Sequence, residues 1–264
     1  MKKMQLILVI AISFLFNQFG TAAALYQPGD SLYVWAKSGL KMRVEPNLKG
    51  DKVLTIPYGT KLKIDSYEEE LPEIKIRVVE SQKIDGLTYK SFYLKGHWCR
   101  VNYLGTIGYV FDGYLSKLPP FDLSPYLSEN EVKHKVTESF ESYAEKHFGI
   151  LHQLDEAQEP ALVNPVSIRK IYGNGMLIEE GVSKGGWKQR IILPGMSFAE
   201  GFLLFSTKYN FEAFAKPSEN EQYPNYSVSK KGNKFVEIEG FAKTVTIQEV
   251  DGVVVISLEE YEGC

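Results

Sequence analysis

The residues of this chain that could carry out chemistry are two cysteines, four histidines and several acidic pairs. A thiol nucleophile needs a histidine base, but Cys99 lies inside a strand-like pattern and Cys264 has no residue after it. His147, His152 and Asp155 are close enough in sequence to hold a metal ion, although their spacing matches no ligand motif. These patterns predict no catalytic residue, no metal site and no cofactor.

The acidic pairs and glycine-rich turns also lack the context that catalysis or phosphate binding requires. Adjacent residues point to opposite sides of a strand, which is typical of solvated faces rather than of acid–base pairs. Residues 173–175 and 184–186 precede strand patterns rather than helix starts, so they predict hairpin turns. The acidic pairs are Asp155-Glu156, Glu179-Glu180 and Glu259-Glu260.

Aromatic side chains give a stronger signal, and it favours binding. The chain has 16 Tyr, 15 Phe and 3 Trp, and Tyr and Trp combine a flat apolar ring with a polar tip. Such rings suit the recognition of extended peptides or sugars, although the alternation of strands predicts that roughly half of them are buried. The predicted ligand-binding residues are Trp98, Tyr103, Tyr109, Tyr33 and Trp35, and a wider set adds Tyr58 and Tyr114.

Most of these rings fall on short strand patterns between Ser31 and Lys117. Strands this short bury one face only by curling into a barrel or a sandwich, so we expect a small β-barrel over residues 31–117. Residues 66–95 alternate around Asp85-Gly86 and predict an inserted hairpin. The predicted strands are 32–35, 40–44, 53–56, 61–64, 73–80, 87–94, 98–103 and 107–111.

Five motifs in this segment resemble the bacterial SH3 domain family, in order and in spacing. The resemblance implies a small β-barrel that binds and does not catalyse, often with cell-wall peptide or glycan as its target. The insertion at 66–95 is longer than the family's usual connection and can cover or reshape a binding groove. The matching segments are Gly39 to Pro46, Pro57 to Leu62, Gly96 to Val101, Thr106 to Val110 and Tyr114 to Ser116.

The first 24 residues predict a secretory signal. Lys2 and Lys3 precede an apolar run from Leu6 to Phe16, and small residues at 22–24 follow for cleavage. The run is shorter than the ~20 residues that a spanning helix needs, which disfavours the alternative of an uncleaved anchor. We therefore expect a periplasmic or secreted protein with no stable membrane insertion after cleavage.

The net charge restricts the possible partners, and the cysteine pattern indicates the state of the thiols. A net charge of −3 without a basic stripe argues against nucleic acid as a partner. Export permits a disulfide between Cys99 and Cys264, but the alternation around Cys99 favours a small buried thiol.

The remainder of the chain predicts a linker over 118–127 and an α+β domain over 128–264, so the whole is mainly β with two domains. A capping box at Ser128 and Glu131, with an apolar stripe after it, predicts a helix that ends at Gly149. A second capping box at Ser197 predicts a short helix to about Lys208. Strand patterns between and after the helices predict an antiparallel sheet, with a hairpin turn at 251–252.

The favoured function is an exported binding protein whose SH3-like domain recognises cell-wall peptide or glycan, or an envelope protein. One alternative is an envelope enzyme whose catalytic groups converge only in the fold of residues 125–264. The other is a structural or inhibitory envelope protein whose two halves pack into one rigid unit.

Overall fold

The computed structural model describes residues 26–67, 72–79, 81–84, 87–89, 91–128, 131–154, 166–183, 186–209, 227–229, 234–240 and 243–261. The predicted signal at 1–24, the Asp85-Gly86 turn, Asp155 and Cys264 lie outside these residues. Within them, neither helix has the length and apolarity required to cross a membrane.

The N-terminal strands form one antiparallel sheet in the order β11-β1-β4-β9-β10-β2-β3. It curls around a core of alternate side chains, among them Leu32, Met42, Ile64 and Val101. The expected small β-barrel is confirmed in part: the strands form one curled sheet, but in the part of the chain that the structure describes the end strands β11 and β3 do not pair, so no closed barrel is found. The strands are β1 (Ser31–Val34), β2 (Leu40–Arg43), β3 (Lys52–Ile56), β4 (Lys61–Tyr67), β9 (Trp98–Tyr103), β10 (Thr106–Phe111) and β11 (Leu115–Ser116).

The inserted segment forms two small antiparallel pairs. One joins β5 (Ile74–Val79) to β8 (Phe92–Gly96), and the other joins β6 (Gln82–Ile84) to β7 (Leu87–Tyr89). Gly96 ends β8 where an added Cβ would lie 2.2 Å from the carboxylate of Asp112, so the chain passes there only with glycine. The predicted hairpin over 66–95 is thus present as two strand pairs that are separate from the first sheet.

The segment predicted as a linker packs into the protein. Leu118 and Phe121 are buried, and the backbone oxygens of Leu118 and Pro119 accept hydrogen bonds from Trp35 Nε1 (2.9 Å) and Tyr143 Oη (2.6 Å). The segment therefore joins the two halves of the chain through buried contacts.

The prediction of a helix that begins at Ser128 is wrong for the first half of that segment. The alternating residues there form a hairpin of β12 (Ser124–Ser128) and β13 (Glu131–Lys135). The helix α1 (Phe140–Phe148) begins later, where the side chain of Ser139 accepts a hydrogen bond from Ser142 N–H (3.1 Å). It ends at Gly149 as predicted, with φ +64° and a hydrogen bond from its N–H to Glu145 O.

The second sheet contains eight antiparallel strands in the order β14-β15-β16-β17-β21-β20-β19-β18. The predicted hairpin turn is confirmed, because Asp251 and Gly252 both adopt positive φ, at 50° and 75°. The strands are β14 (Ile150–Leu154), β15 (Val166–Tyr172), β16 (Leu177–Ser183), β17 (Gly186–Pro194), β18 (Ser227–Ser229), β19 (Phe235–Gly240), β20 (Lys243–Val250) and β21 (Val253–Tyr261).

Helix α2 (Phe198–Tyr209) begins at the predicted capping box and packs between the two sheets. At Gly201 an added Cβ would lie 2.4 Å from Val254 Cγ1, so this glycine lets the helix approach β21 closely. On the opposite side, the ring of Phe202 packs against Phe92 of β8 at a centroid distance of 4.8 Å. The helix is therefore covered on both sides.

One hydrophobic core spans both halves of the chain. Trp35, Phe92, Trp98 and Phe111 belong to the N-terminal half but pack with α1, α2 and the second sheet rather than inside the curled first sheet. The outer aromatic face of the first sheet is thus buried against the C-terminal half, and the core does not divide at the predicted domain boundary.

Candidate binding cleft

A cleft of about 690 Å³ opens between the first sheet, strand β5 and helix α2. The loop before β2 supplies Lys37, Ser38 and Gly39, and α2 supplies Ser206 and Thr207. Its volume lies within the range of ~300–1,000 Å³ that is usual for ligand sites. The position of the cleft makes it a joint product of both halves of the chain.

The floor of the cleft is aromatic and tightly packed. Trp35, Trp98 and Phe111 line it, yet each is only 2–3% exposed. Trp35 packs edge-on against Phe121 at 5.7 Å, and its Nε1–H already donates to Leu118 O. These rings therefore fix the shape of the cleft and offer little free surface.

The rim of the cleft is basic. Lys37, Lys41, Arg43 and Arg77 line it, and no acidic side chain does so among the described residues. Arg43 is held in place by a hydrogen bond from Nη1 to Gly50 O, whereas Lys41 is exposed on β2. The chain as a whole is acidic, with net charge −3, so this local excess of cations is a distinct feature.

The structure brings together only part of the predicted aromatic site. Trp35 and Trp98 meet at the cleft floor, together with Tyr114 of the wider set. Tyr33, Tyr103 and Tyr109 are half-buried and lie outside the cleft; Tyr103 packs on the core of the first sheet, whereas Tyr33 and Tyr109 pack on the shared core. Binding by these residues stays a prediction, but the five do not form one patch.

A buried carboxylate joins the two halves beside the cleft. Glu200 is 2% exposed, and its Oε1 accepts hydrogen bonds from Ser116 Oγ (3.0 Å) and Lys117 N–H (2.9 Å). Its Oε2 accepts from the N–H (2.9 Å) and hydroxyl (3.1 Å) of Ser197, which completes the capping box. One side chain thus caps α2 and holds its start against β11.

A second buried carboxylate, Asp112, supports the same region. Its Oδ1 accepts from His97 N–H (2.7 Å) and its Oδ2 from Tyr67 Oη (3.3 Å). Burial raises the pKa of Asp112 to about 7, because desolvation outweighs these hydrogen bonds. Asp112 itself does not line the cleft.

Among the described residues, the buried Cys99 and the half-buried Glu141–Glu180 pair are groups with catalytic potential. Cys99 is a free buried thiol whose pKa is raised by burial, which disfavours the nucleophilic thiolate. The pKa of Glu180 is raised to about 7 by burial and by a hydrogen bond with Glu141, and Gln189 bridges the two carboxyl groups. Neither carboxyl group lines the cleft or a mainly apolar pocket of about 220 Å³ beside Trp187.

No group of three metal-ligating side chains occurs within the described ranges. His147 is half-buried at the end of α1, and burial lowers its pKa.

Comparison with known families agrees with the order of the sequence motifs. Residues 38–116 match the model of the bacterial SH3 domain. The match spans β2 to β11, including the inserted strands, while β1 lies just before it and pairs with β4 and β11 in the same sheet. No curated protein and no solved structure gives a significant match to the chain.

The sequence motifs locate the SH3 domain, but of the cleft-lining residues only Trp35, Trp98 and Tyr114 belong to the predicted aromatic set. The side chains from α2 and from Ile76–Val78 could not be assigned to the cleft, because their positions depend on how the second sheet and the insertion fold back. The sequence did indicate that Lys41 is accessible, because it lies inside the first SH3 motif and alternates with the buried residues of β2.

Proposed function

We propose that this chain is an exported envelope-binding protein whose SH3 domain binds cell-wall peptide or glycan. Bacterial SH3 domains bind such material in general, and the match over residues 38–116 supports the same role here. The observation that carries the proposal is the cleft of about 690 Å³ beside the SH3 sheet, which is large enough for a ligand. Export and a periplasmic or extracellular location belong to this proposal and rest on the signal-like residues 1–24.

In this proposal the C-terminal half completes the binding site. Helix α2 forms one wall of the cleft and covers Phe92 and Trp98 of the SH3 half. Since these rings are buried in the intact chain, an isolated SH3 segment would expose them and would lose a wall of the site. The full chain from residue 25 is therefore the unit in which binding is measured.

The test is cosedimentation of that chain with purified cell-wall sacculi. A Ser206→Trp variant places a large ring in the cleft wall and is expected to reduce the bound fraction. Thr246→Trp adds the same ring at a half-exposed position of β20 outside the cleft and serves as the matched control. Absence of cosedimentation by a chain with native circular dichroism would refute the proposal. Loss of binding in Tyr103→Ala, with Ser206→Trp unaffected, would instead move the site to the half-buried tyrosines.

A second candidate is a structural or inhibitory envelope protein that acts as one rigid unit. The observation that favours it is the continuous core shared by the two halves, with Trp35 and Trp98 inside it. This candidate expects no wall binding and a stable complex with one envelope protein. Crosslinking in the native envelope, followed by identification of the captured species, separates the two functions.

A further inference from the structure

The charge of the cleft restricts the ligand that it can hold. Four basic side chains line the cleft, and no acidic one lines it in the described part of the chain. Lys41 is exposed, so its ammonium group can reach a ligand at the rim. In a chain of net charge −3, this arrangement favours a ligand that carries several negative charges.

The aromatic floor disfavours a sugar as that ligand. A sugar ring stacks on an accessible aromatic face, but Trp35, Trp98 and Phe111 are 2–3% exposed. The indole N–H of Trp35 is also occupied by Leu118 O. The accessible walls of the cleft include instead basic side chains, the exposed side chain of Leu48 and strand β5.

Strand β5 offers a surface suited to an extended chain. It pairs with β8 along one edge, and no strand among the described residues pairs with its other edge. Ile76, Arg77 and Val78 of this strand line the cleft, with the two apolar side chains half-buried. A peptide in extended conformation can bind beside such a strand through main-chain hydrogen bonds.

We propose that the cleft binds an extended acidic peptide, with one carboxylate paired to Lys41 and the others attracted by the positive charge of the rim. The inference rests on the proposed binding function and names its ligand class. Because Lys41 is exposed, binding weakens as salt screens its charge. Helix α2 takes part directly, since Ser206 faces the same cleft.

The test measures fluorescence anisotropy of a labelled pentapeptide, Glu-Ala-Glu-Ala-Glu, with the chain from residue 25. The same peptide with Gln in place of Glu is the matched ligand control, and oligogalacturonate is the acidic glycan competitor. The Glu peptide is expected to bind at low salt and to lose affinity at higher salt, and the Gln peptide to bind more weakly.

Protein variants then locate the site. Lys41→Gln is expected to weaken binding of the Glu peptide roughly two- to fivefold, the usual value of an exposed charge pair. Ser206→Glu is expected to weaken it at least as much by adding a like charge in the cleft. Lys63→Gln, at an exposed lysine of β4 outside the cleft, is the matched control and leaves the affinity unchanged. Ser206→Gln adds the same bulk as Ser206→Glu without the charge and is expected to weaken binding less than Ser206→Glu.

Equal binding of the Glu and Gln peptides, or equal effects of Lys41→Gln and Lys63→Gln, would overturn the inference. Oligogalacturonate that binds more tightly than the Glu peptide would overturn it as well. If the chain still cosediments with sacculi in these cases, the ligand class is wrong and the binding function stands. If neither sacculi nor peptide binds, both proposals fail.

Discussion

Replacing Glu200 is expected to destabilise the whole chain, because this carboxylate connects its two halves. Glu200→Ala removes the acceptor for Ser116 Oγ and Lys117 N–H on the SH3 side and for both donors of Ser197 on the α2 side. The four donors are then left without this partner at a site that is 2% exposed.

The magnitude follows from the number and type of these contacts. Hydrogen bonds to a charged group contribute about 1.5–3 kcal/mol, and loss of a helix cap costs ~1 kcal/mol. The contacts share one side chain and do not add fully, so we expect Glu200→Ala to lower the free energy of unfolding by about 3–5 kcal/mol. Ser197→Ala removes only the capping side and is expected to cost ~1 kcal/mol.

The assay is urea unfolding followed by tryptophan fluorescence and far-UV circular dichroism. Trp35 and Trp98 report on the contact between the halves, and Trp187 reports on the second sheet. Because one core spans both halves, the wild-type transitions by the two probes are expected to coincide. Ser206→Ala, on the same helix and outside the network, is the control.

The reasoning would be refuted if Glu200→Ala lowered the free energy of unfolding by less than about 1 kcal/mol and Ser197→Ala lowered it by the same amount. It would mean that the bonds to Ser116 and Lys117 add nothing to stability. Two separate wild-type transitions would refute the shared core instead.

Two further predictions test the surrounding packing. The pKa of Asp112 lies at about 7 in the folded chain against 3.8 for an ordinary Asp, so the folded state holds the extra proton and wild-type stability falls as pH rises through this interval. Asp112→Asn removes this pH dependence. In urea titrations, the free energy of unfolding of the variant relative to wild type is expected to rise by roughly 2–3 kcal/mol between pH 5 and pH 8. Parallel plots of stability against pH for the two proteins would contradict the burial argument. Gly201→Ala forces a Cβ to within 2.4 Å of Val254 Cγ1 and is expected to cost about 1–3 kcal/mol by thermal or urea unfolding. Adding Val254→Ala should relieve the clash, and a double variant less stable than the sum of the two single changes would argue against this contact.

Local patterns were sufficient where neighbouring residues decide the structure. The strands of the SH3 half, the turn at 251–252 and the capping box at Ser197 all follow from alternation, turn chemistry and hydrogen bonds over three residues. The local pattern at Ser128 gave a wrong prediction, because an alternating stretch and a helical stripe overlap there. Residues 124–135 form a hairpin through the pairing of β12 with β13, and Ser139 caps α1 instead.

The sequence by itself determined that this chain contains an SH3 domain, with a hairpin inserted in it and a strand-rich half after it. Only the tertiary structure decided what happens to the outer face of that domain. Alternation places Trp98 on the opposite side of β9 from the buried Cys99 and Val101, but it does not say that α2 covers this side. That depends on contacts between residues about a hundred positions apart, such as Phe92 with Phe202, which no local pattern encodes. Because of this long-range packing, Trp35 and Trp98 form the floor of a cleft rather than an exposed aromatic surface, and basic side chains lie at the rim.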